Sequence, residues 1–254
     1  MTTPPPSLAR FPVALAALAG GYLRNTVRVP GETCQVCTTR FMYTRTHCEP
    51  CDQQRQQFGD QLADAVGIAI YARDASLSQS GRVMHGYKAS PPEQRLWEVA
   101  SLLAGVTIGI HSRCAERLTG AHPVDGWSTV PSGRARGGEH PMHRLAAAFA
   151  PGEEVVVRSG RTTGLERRVD PSRIDVARPV QGTHLLVLDD TWTTGAQAQS
   201  VAVALRQAGA ERTSILTLAR WYNFEWGDNL EFAKQHMRND LDPSHCPWTA
   251  GQCP

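Results

Sequence analysis

HLLVLDDTWTTGAQAQ, residues 184–199, is the stretch on which the reading of this chain turns. A short apolar run that ends in turn residues has the pattern of a strand buried on both faces of a parallel sheet. The residues after it predict a helix over about 195–208, stopped at Gly209. In open α/β sheets, ligands bind at the carboxyl ends of strands, where loops meet helix N-termini. A turn of small residues at that place lets successive backbone N–H groups converge on one anion, and the helix dipole adds favourable charge. Thr191, Thr193, Thr194, Gly195 and Ala196 are therefore a candidate phosphate cradle, with two threonine hydroxyls as extra donors and a glycine that permits close approach. Asp189 and Asp190 need a different task beside an anion. Accepting hydrogen bonds from the vicinal hydroxyls of a sugar suits them, with Mg²⁺ offsetting charge on the same ligand. Together these features describe a ribose 5-phosphate site. The plainer alternative is a strand that happens to end in Asp-Asp before a threonine-rich helix cap.

Working outward, short β-branched runs alternate with longer helical ones, which favours a parallel sheet with crossover helices. AVGIAIYA (65–72), GWSTV (126–130), EVVVR (154–158) and RTSILTLARW (212–221) read as strands. A long helix is predicted over about 92–118, although its β-branched middle could break it. HPMHRLAAAF (140–149) and about 229–238 are further helices. Leu8, Phe11, Leu15, Leu18 and Tyr22 recur at helical spacing and predict an amphipathic helix lying on the body of the protein. The TTPPPS stretch before it reads as disordered.

CQVCTTRFMYTRTHCEPC (34–51) sets Cys34, Cys37, Cys48 and Cys51 in a C-x2-C-x10-C-x2-C array. Each two-residue spacer can aim two sulfurs at one ion, with a short hairpin between the pairs, so a structural Zn²⁺ with four thiolates and no open position is the expected occupant. Four unligated thiols or two disulfides are the alternatives. Arg40, Phe41, Tyr43 and Arg45 lie between the pairs, where they either pack the module or contact the bases of single-stranded nucleic acid; packing is the favoured reading. Of the other cysteines, Cys114 falls on a helical pattern and reads as a small buried residue. His245, Cys246 and Cys253 sit in the tail, and that cysteine pair forms a disulfide, helps hold a second metal, or stays as loose thiols.

The 254 residues suffice for one α/β domain plus a small module. Twenty-six basic against 24 acidic side chains give a net charge of only +2, so global charge makes no case for nucleic acid or membrane binding. No apolar run approaches the roughly 18 to 20 residues of a membrane span. Residues 8–23 resemble a secretory core only superficially, and the metal-type cysteine spacing points to a cytoplasmic protein.

The segment LLVLDDTWTTGA resembles the ribose-phosphate signature of type I phosphoribosyltransferases, α/β proteins that bind phosphoribosyl pyrophosphate (PRPP) with Mg²⁺: apolar strand, two acids, two variable residues, Thr-Thr-Gly and a small residue. The four-cysteine module, the Tyr87-Lys88 pair, VPSGRARGG (130–138) and RTTGL (161–165) extend the resemblance to the ComF branch, bacterial phosphoribosyltransferase-like proteins linked to competence and DNA uptake. The resemblance implies that Ser132, Gly133 and Arg134 form the pyrophosphate loop, that Arg161 lies in the region covering PRPP, and that Lys88 matches the family's Tyr-Lys position. Asp189, Asp190 and Arg161 then carry the catalytic roles. Two departures stand out: GGEHPMHRLA replaces the family's RGFNQ stretch, and DPSRIDVARPV replaces its N-x-x-x-A-F. Both bear on the acceptor, not on PRPP. The organisation implied is a helix over 1–29, a four-cysteine zinc module over 30–58, a phosphoribosyltransferase-like domain over 59–226 and a helix with a cysteine-containing tail over 227–254. The function implied is transfer of ribose 5-phosphate from PRPP to an unidentified acceptor; the alternative is a DNA-uptake accessory that binds single-stranded DNA, with PRPP as a regulatory or vestigial ligand.

Overall fold

The computed structural model describes residues 8–41, 45–73, 78–120, 122–131, 139–160 and 167–254. Its centre is a six-stranded sheet in the order β1-β2-β8-β7-β3-β4, built from β1 (Arg24–Asn25), β2 (Ala65–Ala72), β3 (Gly126–Thr129), β4 (Glu153–Glu154), β7 (His184–Trp192) and β8 (Arg212–Trp221). All pairings are parallel except the edge pair β1–β2. The α/β class expected from the alternating patterns is therefore present: a largely parallel sheet flanked by helices. A separate antiparallel ribbon joins β5 (Val157–Ser159) to β6 (Ile174–Val176). The predicted strand over 154–158 is thus shared between two sheets, Glu154 pairing with Trp127 and Val157 with Val176.

Strand alternation divides the core. On β7, Leu186 and Leu188 join the core under α1 (Phe11–Ala19), α3 (Gln79–Gly86), α4 (Gln94–Ala104) and α6 (Pro141–Phe149). Leu185 and Val187 face the opposite core, which is formed with α7 (Ala196–Gln207) and the first four cysteines. Being apolar on both faces, β7 occupies the interior of the sheet.

The helix predicted over 92–118 is interrupted as its β-branched middle suggested. α4 ends at Ala104, a wider π-type turn occupies Gly105–Ile110, and α5 (Cys114–Leu118) begins after His111. α1 and the turn leading into it pack on this stretch. A Cβ on Gly105 would come 2.2 Å from the Phe11 ring, and one on Gly109 would come 2.8 Å from Leu8, so α1 is seated directly on backbone there. Leu15 is fully buried and Leu8 nearly so, as the spacing of three and four required. The segment read as disordered, residues 2–7, lies outside the described residues.

The sequence pattern did not reveal α2 (Glu49–Phe58) or α3. α2 is strongly polar, and only Cys51 and Gln54 of its residues are buried. Among the described residues of the cysteine module, one bridge, Thr33 to Arg40, closes the first knuckle, and the second pair opens α2; residues 42–44 of the expected hairpin lie outside the described residues. The closing helix, α8 (Asn229–His236), ends two residues before the predicted limit.

Candidate functional site

Strand β7 runs past its apolar stretch and pairs with β8 as far as Trp192 opposite Arg220. The chain then turns through Gly195, in the left-handed region at φ +77°, into the twelve-residue α7. Glycine is required there twice over: an L residue is strained at that φ, and a Cβ would lie 2.0 Å from the Trp192 ring. Beneath the turn, the buried Arg220 donates from Nη1 to the carbonyls of Trp192 (2.9 Å) and Thr193 (2.5 Å). Gln54 Nε2, from α2, donates to the Thr194 carbonyl at 3.0 Å. In a trans peptide the N–H points opposite to the C=O. The three consecutive carbonyls of Trp192, Thr193 and Thr194 are thus each held by a side-chain donor, and the N–H groups of Thr193, Thr194 and Gly195 point away from those carbonyls, at the start of α7. No side chain caps that terminus; the Ala196 N–H reaches only the Thr194 hydroxyl, at 3.4 Å. A helix N-terminus left uncapped after such a turn is a candidate cradle for an anion.

The two aspartates diverge. Asp190 follows Leu186 and Leu188 to the α3 face, where Lys88 Nζ lies 2.6 Å and the Tyr87 hydroxyl 2.8 Å from its Oδ2. Ser78 caps the N-terminus of α3 by accepting from Gly81 N–H, and the other end of that helix delivers Tyr87 and Lys88. Burial pushes the Asp190 carboxyl up, but Lys88 and Tyr87 outweigh it and hold the group below its ordinary value. Asp189 accepts from the Asp190 backbone N–H at 2.8 Å. Burial first, and the Asp190 charge second, push its pKa from 3.8 up to about 7. Adjacent carboxylates with opposed shifts can divide their labour, one permanently charged and one able to exchange a proton near neutrality.

The cradle residues Thr191 to Ala196, both aspartates and Lys88 thus come together at the carboxyl edge of the sheet. Thr129 is in register with Leu188, so β3 also ends at this edge, and Pro131 immediately precedes Ser132. Ser132, Gly133 and Arg134 lie outside the described residues, as does Arg161. The ribbon β5–β6 flanks the Arg161 segment, and its return is docked on α7 by the Asp170 N–H to Ser200 Oγ, 2.8 Å. A cleft of about 540 Å³ opens between α2 and residues 167–171, lined by Gln53, Gln54, Gln57, Arg167 and Arg168 among others; of the residues that hold the turn after β7, it includes Gln54. Arg220 and Gln54 escaped the sequence reading. Arg220 did leave a signal, a charge inside the otherwise apolar run LTLARW; Gln54 left none.

The Sγ atoms of Cys34, Cys37, Cys48 and Cys51 all lie within 4.8 Å of one another, with Cys37 and Cys48 3.6 Å apart. Tetrahedral ligation at a metal–sulfur distance of about 2.3 Å separates sulfurs by about 3.8 Å, so the cluster fits a single ion. Cys48 is the N-cap of α2, which turns a helix dipole toward the thiolates. Hydrogen bonds from the other three thiols push Cys34 down, and bonding to Cys34 and Cys37 pushes Cys48 up. Phe41 is buried against this cluster, while Arg40 pairs with Asp228 at 3.3 Å and Arg45 with Asp52 at 3.6 Å. Phe41 thus packs as expected, while the two arginines are ion-paired, Arg40 to a residue beyond the module; Tyr43 lies outside the described residues. Among the described residues, no helix is long and apolar enough to cross a membrane.

No protein-family model matches this chain, and no curated protein does. Solved structures do. A hypoxanthine phosphoribosyltransferase from Staphylococcus aureus matches at 12% identity and TM-score 0.29, over 46% of this chain and 62% of its own. A purine phosphoribosyltransferase from Pyrococcus horikoshii matches at 20% identity and TM-score 0.28, over 49% and 73%. A hypoxanthine-guanine-xanthine phosphoribosyltransferase matches at 14% identity and TM-score 0.29, over 46% and 66%. The chain thus spans under two thirds of the Staphylococcus aureus chain. Superpositions at this level carry no argument about chemistry, which must come from the residues themselves.

Proposed function

We propose that this chain is a ComF-like phosphoribosyltransferase, which binds PRPP with Mg²⁺ at the carboxyl edge of β7 and transfers ribose 5-phosphate to an acceptor. The observation that carries the reading is the cradle itself: three carbonyls pinned by Arg220 and Gln54, Gly195 at positive φ, and the open N-terminus of α7 directly after two aspartates. The 5-phosphate takes the N–H groups of residues 193–196 and the threonine hydroxyls, and Asp189 and Asp190 accept from the ribose hydroxyls. Mg²⁺ supplies charge neutralisation on the pyrophosphate. Ser132, Gly133, Arg134 and Arg161 are assigned to the pyrophosphate, as the leaving group and its cover.

Breaking the anomeric C–O bond leaves an oxocarbenium-like carbon and a pyrophosphate that gains the electron pair; the acceptor then bonds to that carbon and gives up a proton. A negative charge beside a cationic centre is stabilising, and Asp190, held below its ordinary value by Lys88 and Tyr87, is placed to provide it. Asp189, with its pKa near neutrality, is placed to receive a proton. Lys88 holds Asp190 charged and oriented before ligand arrives. The cleft beside Arg167 and Arg168 is the proposed entrance for the acceptor. Zn²⁺ in the first cysteine cluster is assigned a structural role, fixing α2 and through Gln54 the cradle.

Calorimetric titration of the metal-loaded protein with PRPP and Mg²⁺ tests the reading. Wild type should bind, and the Asp189→Asn, Asp190→Asn double variant should lose at least tenfold in affinity. Equal binding by the two, or none by either, would remove the PRPP assignment.

A further inference from the structure

A second group of ligating side chains lies outside the site on β7. His111, Cys114, Cys246 and Cys253 bring one nitrogen and three sulfurs within 4.8 Å of one another. His111 and Cys114 stand where the π-type turn gives way to α5, an H-x2-C spacing on one side of the backbone. Cys246 and Cys253 close a tight loop in the tail. Cys246 N–H donates to the Gly251 carbonyl at 2.7 Å, Ala250 N–H donates back to the Cys246 carbonyl at 2.9 Å, and Ala250 takes the left-handed φ of +54° that this turn demands.

The loop is held in place independently of its cysteines. The buried Trp248 donates its indole N–H to the His111 carbonyl at 2.7 Å, and Ile68 N–H of β2 donates to the Pro247 carbonyl at 3.0 Å. The Trp248 ring fills the space over Gly67, where a Cβ would come within 2.7 Å of it. Arg117 holds the Pro254 carbonyl. The surroundings therefore fix both halves of the cluster before any ion enters.

His111 Nδ1 lies 3.5 Å from Cys253 Sγ and 4.0 Å from Cys114 Sγ. Tetrahedral ligation with metal–nitrogen and metal–sulfur distances of about 2.0 and 2.3 Å puts nitrogen and sulfur about 3.5 Å apart. Cys246 is fully buried and His111 is 3% exposed. A disulfide between any two of the three thiols would leave the third thiol and the imidazole nitrogen in that pocket with poor partners; one ion satisfies all four.

We propose that His111, Cys114, Cys246 and Cys253 form a second, structural zinc site, which staples the C-terminal loop to the start of α5. Four protein ligands leave no open position, so the ion carries no catalysis. Binding expels the thiol protons to solvent and leaves three thiolates and a neutral imidazole on Zn²⁺. Sequence spacing could not show this site, because 131 residues separate Cys114 from Cys246.

Elemental analysis of the full chain, purified without chelator, tests the assignment. Wild type should carry two zinc ions per chain, and the Cys114→Ser, Cys253→Ser double variant one. A Cys34→Ser, Cys37→Ser variant should also carry one, which separates the two sites. Protein produced in cobalt-supplemented medium gives a readout that needs no variant: its sulfur-to-cobalt charge-transfer absorption should correspond to seven thiolate ligands and not four. One zinc in wild type with four-thiolate absorption would overturn the proposal. So would a count of five titratable thiols under denaturing, chelating conditions, since it would mean that two cysteines form a disulfide.

Discussion

Replacing Asp189 by asparagine should stabilise the folded protein at alkaline pH while weakening its ligand site. The Asp189 carboxyl is raised from 3.8 to about 7 by burial and by the neighbouring Asp190 charge. Between those two values the folded chain keeps a proton that the unfolded chain has released. Wild-type stability therefore falls as pH climbs through this window, and the whole penalty is in place above about pH 7. Its ceiling is about 4 kcal/mol from the size of the shift, reduced to ~2 kcal/mol by the water that reaches a carboxylate at a strand end. Asparagine keeps an oxygen for the Asp190 N–H and removes the charge, so the variant lacks this slope. Comparing urea unfolding of the two proteins from pH 5 to pH 8 cancels every other titrating group. The gap in favour of Asp189→Asn should widen by ~1–3 kcal/mol over that range and level off above pH 7. A gap that stays constant, or one that moves toward wild type, would refute the idea that this carboxylate is held under electrostatic stress.

Gly195→Ala should cost ~2 kcal/mol or more in stability and abolish measurable PRPP binding, because positive φ and the Trp192 ring both oppose a Cβ at that place; thermal melts and calorimetry on one preparation read both effects. Gln54→Ala should lower PRPP affinity severalfold with at most ~1 kcal/mol lost in stability, since it frees one carbonyl of the cradle from its donor. Unchanged affinity in that variant would show that α2 does not shape the site.

The strand, the turn and the two aspartates were legible because the chemistry of the site is local: eight consecutive residues, Asp189 to Ala196, supply carboxylates, hydroxyls, a glycine and a helix start. The first cysteine cluster was legible for the same reason. What escaped the sequence depends on distance along the chain. Arg220 comes to the cradle because β8 lies beside β7, and Gln54 because a polar helix is anchored by cysteines at its N-terminus. Cys114 had the look of a small core residue, since its three ligating partners come from a broken helix and from the tail. His245 sat beside Cys246 in the sequence, yet its Nε2 is hydrogen-bonded to the Thr26 carbonyl at 2.9 Å, away from the sulfurs.

These long-range contacts join the four-cysteine module to the turn after β7. α2 is too polar to form a stable helix alone, and its burial rests on Cys51 and Gln54. Cys51 is tied to the metal cluster and Gln54 to the Thr194 carbonyl, one turn apart on the same helix face. On the sheet side, Trp192 and Val187 pack in the same core as the four cysteines, and Arg220 reaches the cradle carbonyls from β8. The cradle is thus held by one donor from the sheet and one from the helix that the second cysteine pair opens. By linkage, an ion that ordered α2 would lower the cost of ordering the cradle, and a ligand seated in the cradle would in turn tighten the hold of the cysteines on that ion. A metal confined to structure can in this way set the affinity of a site to which it contributes no ligand.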